Sequence, residues 1–452
     1  MDENVLPVVV VGAGPIGLAA AAQLLDRGLE PLVLEAGPAA GASVRQWHHV
    51  RLFSRWGELV DPAAEKLLAP TGWRSPDPDT YPTGADWAEH YLQPLADALG
   101  QRTRFGARVI GVARQGRDRV VDAGRDSEPL TVHVRTTSAG RVGEERITAR
   151  AVVDASGTWT TPNPLGADGL WALGEAAAAD RIAYQVPDLT ARAVRARYAG
   201  KRVAVAGSGH SALTALVAFA ELAEQVPGTR VVWLLRRGRV GDTFGGGDAD
   251  QLPARGALGR RAAAAVEAGH ISTVTGFRTA VVDQVGDGRL VLASVDGRRL
   301  DPVDEVVAVT GFRPDLSWLS EVRLDLDPVL QAPRALAPLI DPNVHSCGTV
   351  YPHGAAELAQ PEPGVFLVGM KSYGRAPTFL AMTGYEQVRS VAAALAGDHE
   401  AAARVELVLP ETGVCGGAGL FDQTENAGSD GGCCGTPPGP VGISLGTGVP
   451  GM

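Results

Sequence analysis

Two glycine-rich turns constrain this chain more than any other feature. The first reads Val8-Val-Val-Val-Gly12-Ala13-Gly14-Pro15-Ile16-Gly17, and the second reads Val203-Ala-Val-Ala-Gly207-Ser208-Gly209-His210-Ser211-Ala212. Each closes an apolar run and opens an alanine-rich stretch. Strand before and helix after is the setting that a dinucleotide-binding turn needs. In the first turn Gly12 permits the tight bend, Gly14 lets a pyrophosphate approach the backbone, and Gly17 lets helix and strand pack closely. The helix N-terminus then presents free N–H groups and partial positive charge to phosphate. In the second turn the small pair Ser211-Ala212 stands where the third glycine would be.

The residues that close the two units carry opposite charge. Glu35, followed by Ala36, stands at the tip of the strand after the first helix. A carboxylate there accepts hydrogen bonds from both ribose hydroxyls and repels a 2′-phosphate, so the first site suits FAD or NAD. Arg236 and Arg237 stand at the matching tip of the second unit. A guanidinium grips phosphate in a two-pronged fork, so this site suits NADPH. The alternative is that both arginines simply finish a surface strand.

Bulk composition narrows the remainder. The 452 residues give room for roughly three domains of about 150 residues. The net charge is −10 and no basic run occurs, which argues against nucleic acid and anionic membranes as partners. No run approaches the ~18 apolar residues of a membrane span. Val8–Val11 runs straight into Gly12, so it reads as a first strand and not as a signal peptide. Four cysteines in such a chain suit a reducing, cytoplasmic setting.

Hydrophobic periodicity predicts strands at Leu6–Val11, Glu30–Leu34, Ala151–Ala155, Val203–Ala206, Val231–Leu235, Val306–Thr310 and Val365–Val368. Helices are expected at Pro15–Arg27, Asp86–Leu99, Ser211–Gln225 and Thr383–Leu395. Residues 38–84 read as irregular, 105–150 as a small antiparallel sheet, 241–248 as a mobile loop, and 271–295 as short strands. From Gly413 glycine and proline dominate, which predicts a flexible Gly-rich C-terminal tail.

Two further strands end in short glycine turns, Asp154-Ala-Ser-Gly157-Thr-Trp159 and Ala308-Val-Thr-Gly311-Phe-Arg-Pro-Asp315. With these, the chain resembles flavoproteins that carry two dinucleotide-binding domains. The second turn and the loop Gly41-Ala-Ser-Val-Arg45-Gln46-Trp47 are similar to segments of flavin-containing and N-hydroxylating monooxygenases. The resemblance covers roughly residues 5–400. It implies an α/β fold in which an FAD domain (1–165 and 321–410) is interrupted by an NADPH domain (166–320), with a tail at 411–452. It also implies FAD contacts from Gly12, Gly14, Pro15, Gly17, Glu35, Ala36, Arg45, Gln46, Trp47, Val109, Gly157, Gly369, Met370 and Thr378. NADPH contacts are implied for Gly207, Gly209, His210, Ser211, Arg236, Arg237 and Gly311. The loop Lys371–Phe379 is expected to open the helix whose N-terminus faces the flavin pyrimidine. The implied reaction starts with hydride transfer from NADPH to flavin and proceeds through a flavin C4a-hydroperoxide to oxygenate a small soft nucleophile. Small-molecule substrate and O2 are the implied partners, and a homodimer is the assembly allowed for.

The chain departs from the family pattern in three places. No histidine stands in the 168–184 region where the monooxygenase frame has one, no aspartate follows Gly369, and no cysteine precedes Cys347. The last point excludes the usual dithiol beside the flavin. An NADPH-dependent reductase of a metal(loid), quinone or protein acceptor is a second reading. A third is a thiol-based metalloid-binding protein that uses Cys415, Cys433 and Cys434, since soft thiolates suit soft ions. The chain also resembles flavoproteins of actinobacterial arsenic-resistance clusters. His48-His49-Val-Arg51 reads either as lining of the flavin pocket or as packing of the crossover loop. Adjacent histidines on an extended chain point apart, so no metal is expected there.

Overall fold

The computed structural model describes residues 6–407, apart from 139, 248, 249, 251, 345–352 and 378. Thr378, Cys347, Cys415, Cys433 and Cys434 lie outside the described residues, as does the Gly-rich tail.

Two five-stranded parallel sheets form the framework. The first has the order Val365–Leu367, Ala151–Asp154, Val8–Val11, Pro31–Leu34, Thr103–Arg104. The second has the order Ile271–Val274, Arg230–Leu234, Arg202–Ala206, Glu305–Ala308, Ile182–Ala183. Each glycine turn therefore leaves the central strand of its own sheet. Val8 to Val10 are completely inaccessible to solvent, as a parallel strand covered on both faces requires. The last strand, Val365–Leu367, pairs back onto Ala151–Asp154. The first domain is thus completed only after the chain has built the second, the interrupted arrangement expected from the sequence.

Helix Pro15–Asp26 starts from an N-cap at Gly14 with proline in its first turn, where a missing N–H costs nothing. It packs on Ala381–Leu395, a helix buried along nearly all of its length. Close approach is enforced by glycine: a Cβ on Gly384 would sit 2.4 Å from Ile16 Cδ1. In the second domain, helix His210–Gln225 covers the sheet around Trp233 and Val205.

Three expectations need correction. Residues 38–84 are not irregular throughout, because Ala42–Gln46 and Pro62–Leu68 are helical. The second of these starts with Asp61 accepting from Ala64 N and with Pro62 in the first turn, a start signal present in the sequence. The helix expected at Asp86–Leu99 is three consecutive pieces, Gly84–Trp87, Ala88–Leu92 and Gln93–Leu99, the middle one a π-helical turn closed by Gln93 N donating to Ala88 O. Pro94 lacks the N–H that a regular α-helical ladder would use there, so the turn widens. Helix Pro253–Glu267 was missed because its Ala, Arg and Gly residues carry no apolar stripe.

The three-stranded antiparallel sheet Ala107–Arg114, Leu130–Ser138, Arg141–Ala149 lies where the sequence placed it. The two chain passages between the domains are zipped together. Asn163 N donates to Gly311 O at 2.9 Å, Thr310 Oγ1 to Asn163 O at 2.9 Å, and Arg313 Nε to Asn163 Oδ1 at 3.0 Å.

Candidate dinucleotide and redox site

The strand ends of the first sheet open onto a cavity of about 870 Å³, to which His210 and Phe312 of the second domain add part of the wall. That volume lies in the range of small-molecule and cofactor sites. It runs from the first glycine turn and Glu35, past Val109 and Gly157, to an aromatic end formed by Trp47, Phe53, Trp159 and Phe312.

The first turn has the geometry that a pyrophosphate needs. Gly12 adopts φ +100°, and a Cβ there would press on Ala155 O at 3.0 Å. Gly14 faces open space, so ligand atoms can reach its backbone. Glu35 is already oriented, since its Oε2 accepts from Ala13 N and its Oε1 from Gly37 N, both at 2.7 Å. Each carboxylate oxygen keeps a second lone pair for a ribose hydroxyl. These features, with the length of the cavity, fit an extended dinucleotide.

Of the residues assigned to FAD, Gly12, Gly14, Pro15, Glu35, Ala36, Trp47, Val109, Gly157, Gly369 and Met370 line this cavity. Gly17 does not; its task is packing, for a Cβ there would lie 1.9 Å from Gly12 O. Arg45 and Gln46 also stand outside. Arg45 Nε donates to Ala40 O at 3.0 Å, and Gln46 Oε1 accepts from Trp159 Nε1 at 2.9 Å. Short helix Ala42–Gln46 carries both away from the cavity lining. Arg51 lines the cavity and donates to Tyr81 O.

The second turn repeats the design. Gly207 has φ +138°, and a Cβ on it would meet Val309 O at 2.3 Å, while Gly209 is open. His210, Ser211 and Gly311 line a smaller space of about 200 Å³. This space shares Trp47, Phe53, Trp159, His210 and Phe312 with the large cavity, so the two sites converge on one aromatic wall. Trp159 and Phe312 stack at 4.8 Å, one from each interdomain passage. His210 meets Phe53 edge-on at 5.4 Å. Burial, aided by the nearby Arg255 guanidinium, pushes His210 down to about 4. Arg236 and Arg237 stand just beyond strand Arg230–Leu234, outside both cavities. Arg236 is exposed and donates to Ala167 O at 3.2 Å.

One constellation escaped the sequence reading. Lys371 Nζ lies 2.7 Å from Asp154 Oδ2 and 3.0 Å from Ser156 Oγ, with the Trp318 ring centroid at 4.6 Å. Lys371 and Asp154 are both buried, and Lys371 and Ser156 line the cavity beside Gly157. Asp154 Oδ1 accepts from Ser156 N and Oγ at 3.0 and 2.6 Å. The pair ties the turn after Gly369 to the turn after Asp154, across a gap of more than two hundred residues. An acid ending a buried strand was the only available sign.

His48 and His49 do not point apart as an extended chain would have them. The two lie in a turn and not on an extended chain, and their rings meet at 5.3 Å. Asp188, from the second domain, stands beside them, with His48 Nε2 3.5 Å from its Oδ2.

No helix among the described residues is long and apolar enough to cross a membrane. The sequence profile of the family described as pyridine nucleotide-disulphide oxidoreductase matches residues 9–335. A ferredoxin–NADP reductase of Ralstonia pickettii is 28% identical over 330 residues, which cover 71% of this chain and 74% of that protein. A bacillithiol disulfide reductase from Bacillus cereus superposes with a TM-score of 0.60 at 21% identity, covering 87% of this chain and 99% of the other. The FAD-bound cadaverine monooxygenase of desferrioxamine biosynthesis from Erwinia amylovora reaches a TM-score of 0.60 at 15% identity, covering 90% and 98%. At these identities the two structural likenesses concern the fold.

Proposed function

The chain belongs to the pyridine nucleotide-disulphide oxidoreductase family, and from that premise we propose that it is an NADPH-dependent, FAD-containing monooxygenase of a small soft nucleophile. That the chain is a flavoprotein oxidoreductase using FAD and NAD(P)H follows from the family. The choice of NADPH and the oxygenation are our reading. The observation that carries it is the lack of a dithiol. No cysteine precedes Cys347, and the wall where the two nucleotide sites converge is aromatic. Electrons therefore leave through a diffusible acceptor.

In this reading the residues bind, orient and exclude water. The N-termini of Pro15–Asp26 and His210–Gln225 receive the two pyrophosphates. Glu35 holds the FAD ribose, and Arg236 with Arg237 takes the 2′-phosphate. The Lys371–Asp154 pair fixes the turns on either side of the flavin cavity. Trp159 and Phe312 keep water from the converging ends. FAD, when bound, supplies the two-electron chemistry that side chains cannot. Overall, NADPH, a proton, O2 and substrate give NADP⁺, water and a product bearing one oxygen atom.

A second reading has one specific support, the 28% identity to a ferredoxin–NADP reductase over most of both chains. There the electrons pass to an external acceptor without oxygen. The experiment is an NADPH-oxidation screen over arsenicals, sulfides, amines and ketones, with O2 and peroxide followed together. Oxygenation is expected to consume NADPH and O2 in equal amounts, suppress peroxide, and place label from 18O2 in the product. Turnover that persists anaerobically with a quinone or ferredoxin, with all consumed O2 returned as peroxide, overturns it.

A further inference from the structure

The geometry points to a metal site between the two domains: we infer that His48, His49 and Asp188 bind one first-row divalent cation of the zinc type. Each side chain offers one ligand atom, and these atoms all lie within 4.8 Å of one another. A tetrahedral zinc with ligands at about 2.0–2.1 Å holds its ligand atoms roughly 3.3–3.4 Å apart. His48 Nε2 and Asp188 Oδ2 already stand at 3.5 Å. The remaining closure is at most about 1.5 Å.

Two independent features favour a ligand here. Both ring nitrogens of His49 are shielded from solvent without a hydrogen-bond partner. The Val186 backbone acts on the ring, but as the least of the influences on it. A buried nitrogen left in this way is costly, and a cation would satisfy it. Asp188 is held for the same task. Its Oδ1 accepts from Thr190 N at 3.0 Å and Thr190 Oγ1 at 2.6 Å, which turns Oδ2 towards His48. Such outer hydrogen bonds orient ligating carboxylates in metal sites.

The donor set defines the ion class. Two imidazoles and one carboxylate suit zinc and its neighbours, with a fourth position for water, whereas Mg²⁺ and Ca²⁺ prefer all-oxygen cages. The location defines the consequence. His48 and His49 directly follow Trp47, which lines both cavities, and Asp188 follows strand Ile182–Ala183 of the second sheet. A bound cation therefore fastens the loop beside the flavin cavity to the other domain.

The test is calorimetric titration of the full-length, FAD-loaded protein with Zn²⁺ after chelator treatment, with Mg²⁺ as the control ion. The cysteines stay in place, so thiol-bound zinc is common to every variant. Wild type should bind one zinc equivalent more than Asp188→Asn or His49→Ala. Thr190→Val keeps all three ligands and should weaken that equivalent by roughly tenfold to a hundredfold. Bound Co²⁺ should give the visible bands of nitrogen and oxygen ligation from this equivalent, without a thiolate charge-transfer band. Asp188→Asn preserves shape, and retained flavin absorbance reports its fold. Equal zinc equivalents and affinities in wild type and Asp188→Asn overturn the site, as does a wild type that binds no zinc.

Discussion

At the residue scale, the chemistry rests on a few side chains whose partners are close. Glu35 is oriented by two backbone amides before any ribose reaches it. Lys371 would be an isolated buried cation without Asp154, and such pairs are costly to break from one side. Arg236 is the residue on which coenzyme choice should turn. Arg236→Ala is expected to remove a charge-assisted contact worth ~1.5–3 kcal/mol, roughly tenfold to a hundredfold in NADPH affinity. NADH binding should change little, and the ratio of the two dissociation constants checks this. An equal loss for both coenzymes would remove the 2′-phosphate from this position. Glu35 and Arg236 were legible in the sequence because each stands at a strand tip, a place that periodicity alone can locate. Lys371 and Asp154 were not, because an ion pair spanning two distant turns has no sequence period.

At the element scale, turns and caps place the site. The π-helical turn at Ala88–Leu92 and the short helix Pro62–Leu68 back the loop that carries Trp47. Asp61, the N-cap of that helix, is buried and accepts from Gln23 Nε2 and Ala64 N, while Asp61 N donates to Tyr91 Oη. Burial, only partly offset by the Gln23 hydrogen bond, pushes its carboxyl up to about 6. Its folded pKa lies above its unfolded one, so its contribution is complete below about 3.9 and is lost as pH rises through about 6. The loss is on the order of 2–3 kcal/mol. Asp61→Asn should therefore flatten the stability profile between pH 4 and 6 relative to wild type. Urea midpoints at the two ends of that window measure it; parallel profiles would mean that Asp61 does not titrate there. The sequence showed the strand–turn–helix units well because their apolar runs are long. It missed Pro253–Glu267, whose helicity comes from propensity and tertiary packing without an apolar stripe.

At the scale of the whole molecule, the cavity is assembled from pieces that no single segment contains. The first glycine turn, Val109 in the antiparallel sheet, Gly157 in the outgoing passage and Gly369 after the last strand all meet around it. A ligand that touches all of them binds the folded chain and not the unfolded one. Reconstituting FAD-stripped protein at a hundredfold excess over the dissociation constant should add about 2.7 kcal/mol of stability. The thermal midpoint should rise with FAD concentration; a midpoint indifferent to FAD would place the flavin outside this cavity. Two interdomain passages, hydrogen-bonded through Asn163, Thr310 and Gly311, carry the second domain. The site's aromatic wall is drawn from both sides of that junction.

By itself the sequence determined the two βαβ units, their order, the charge at each strand tip and the lack of an early dithiol. These are local properties, written in runs, turns and single residues a few positions apart. Tertiary structure alone decided which predicted contacts face the cavity and which, like Arg45 and Gln46, turn away. It also decided that Lys371 meets Asp154, and that Asp188 joins His48 and His49. Those outcomes depend on which chain segments the two sheets bring side by side, and side-chain direction across such a junction is set by packing, which no local pattern encodes.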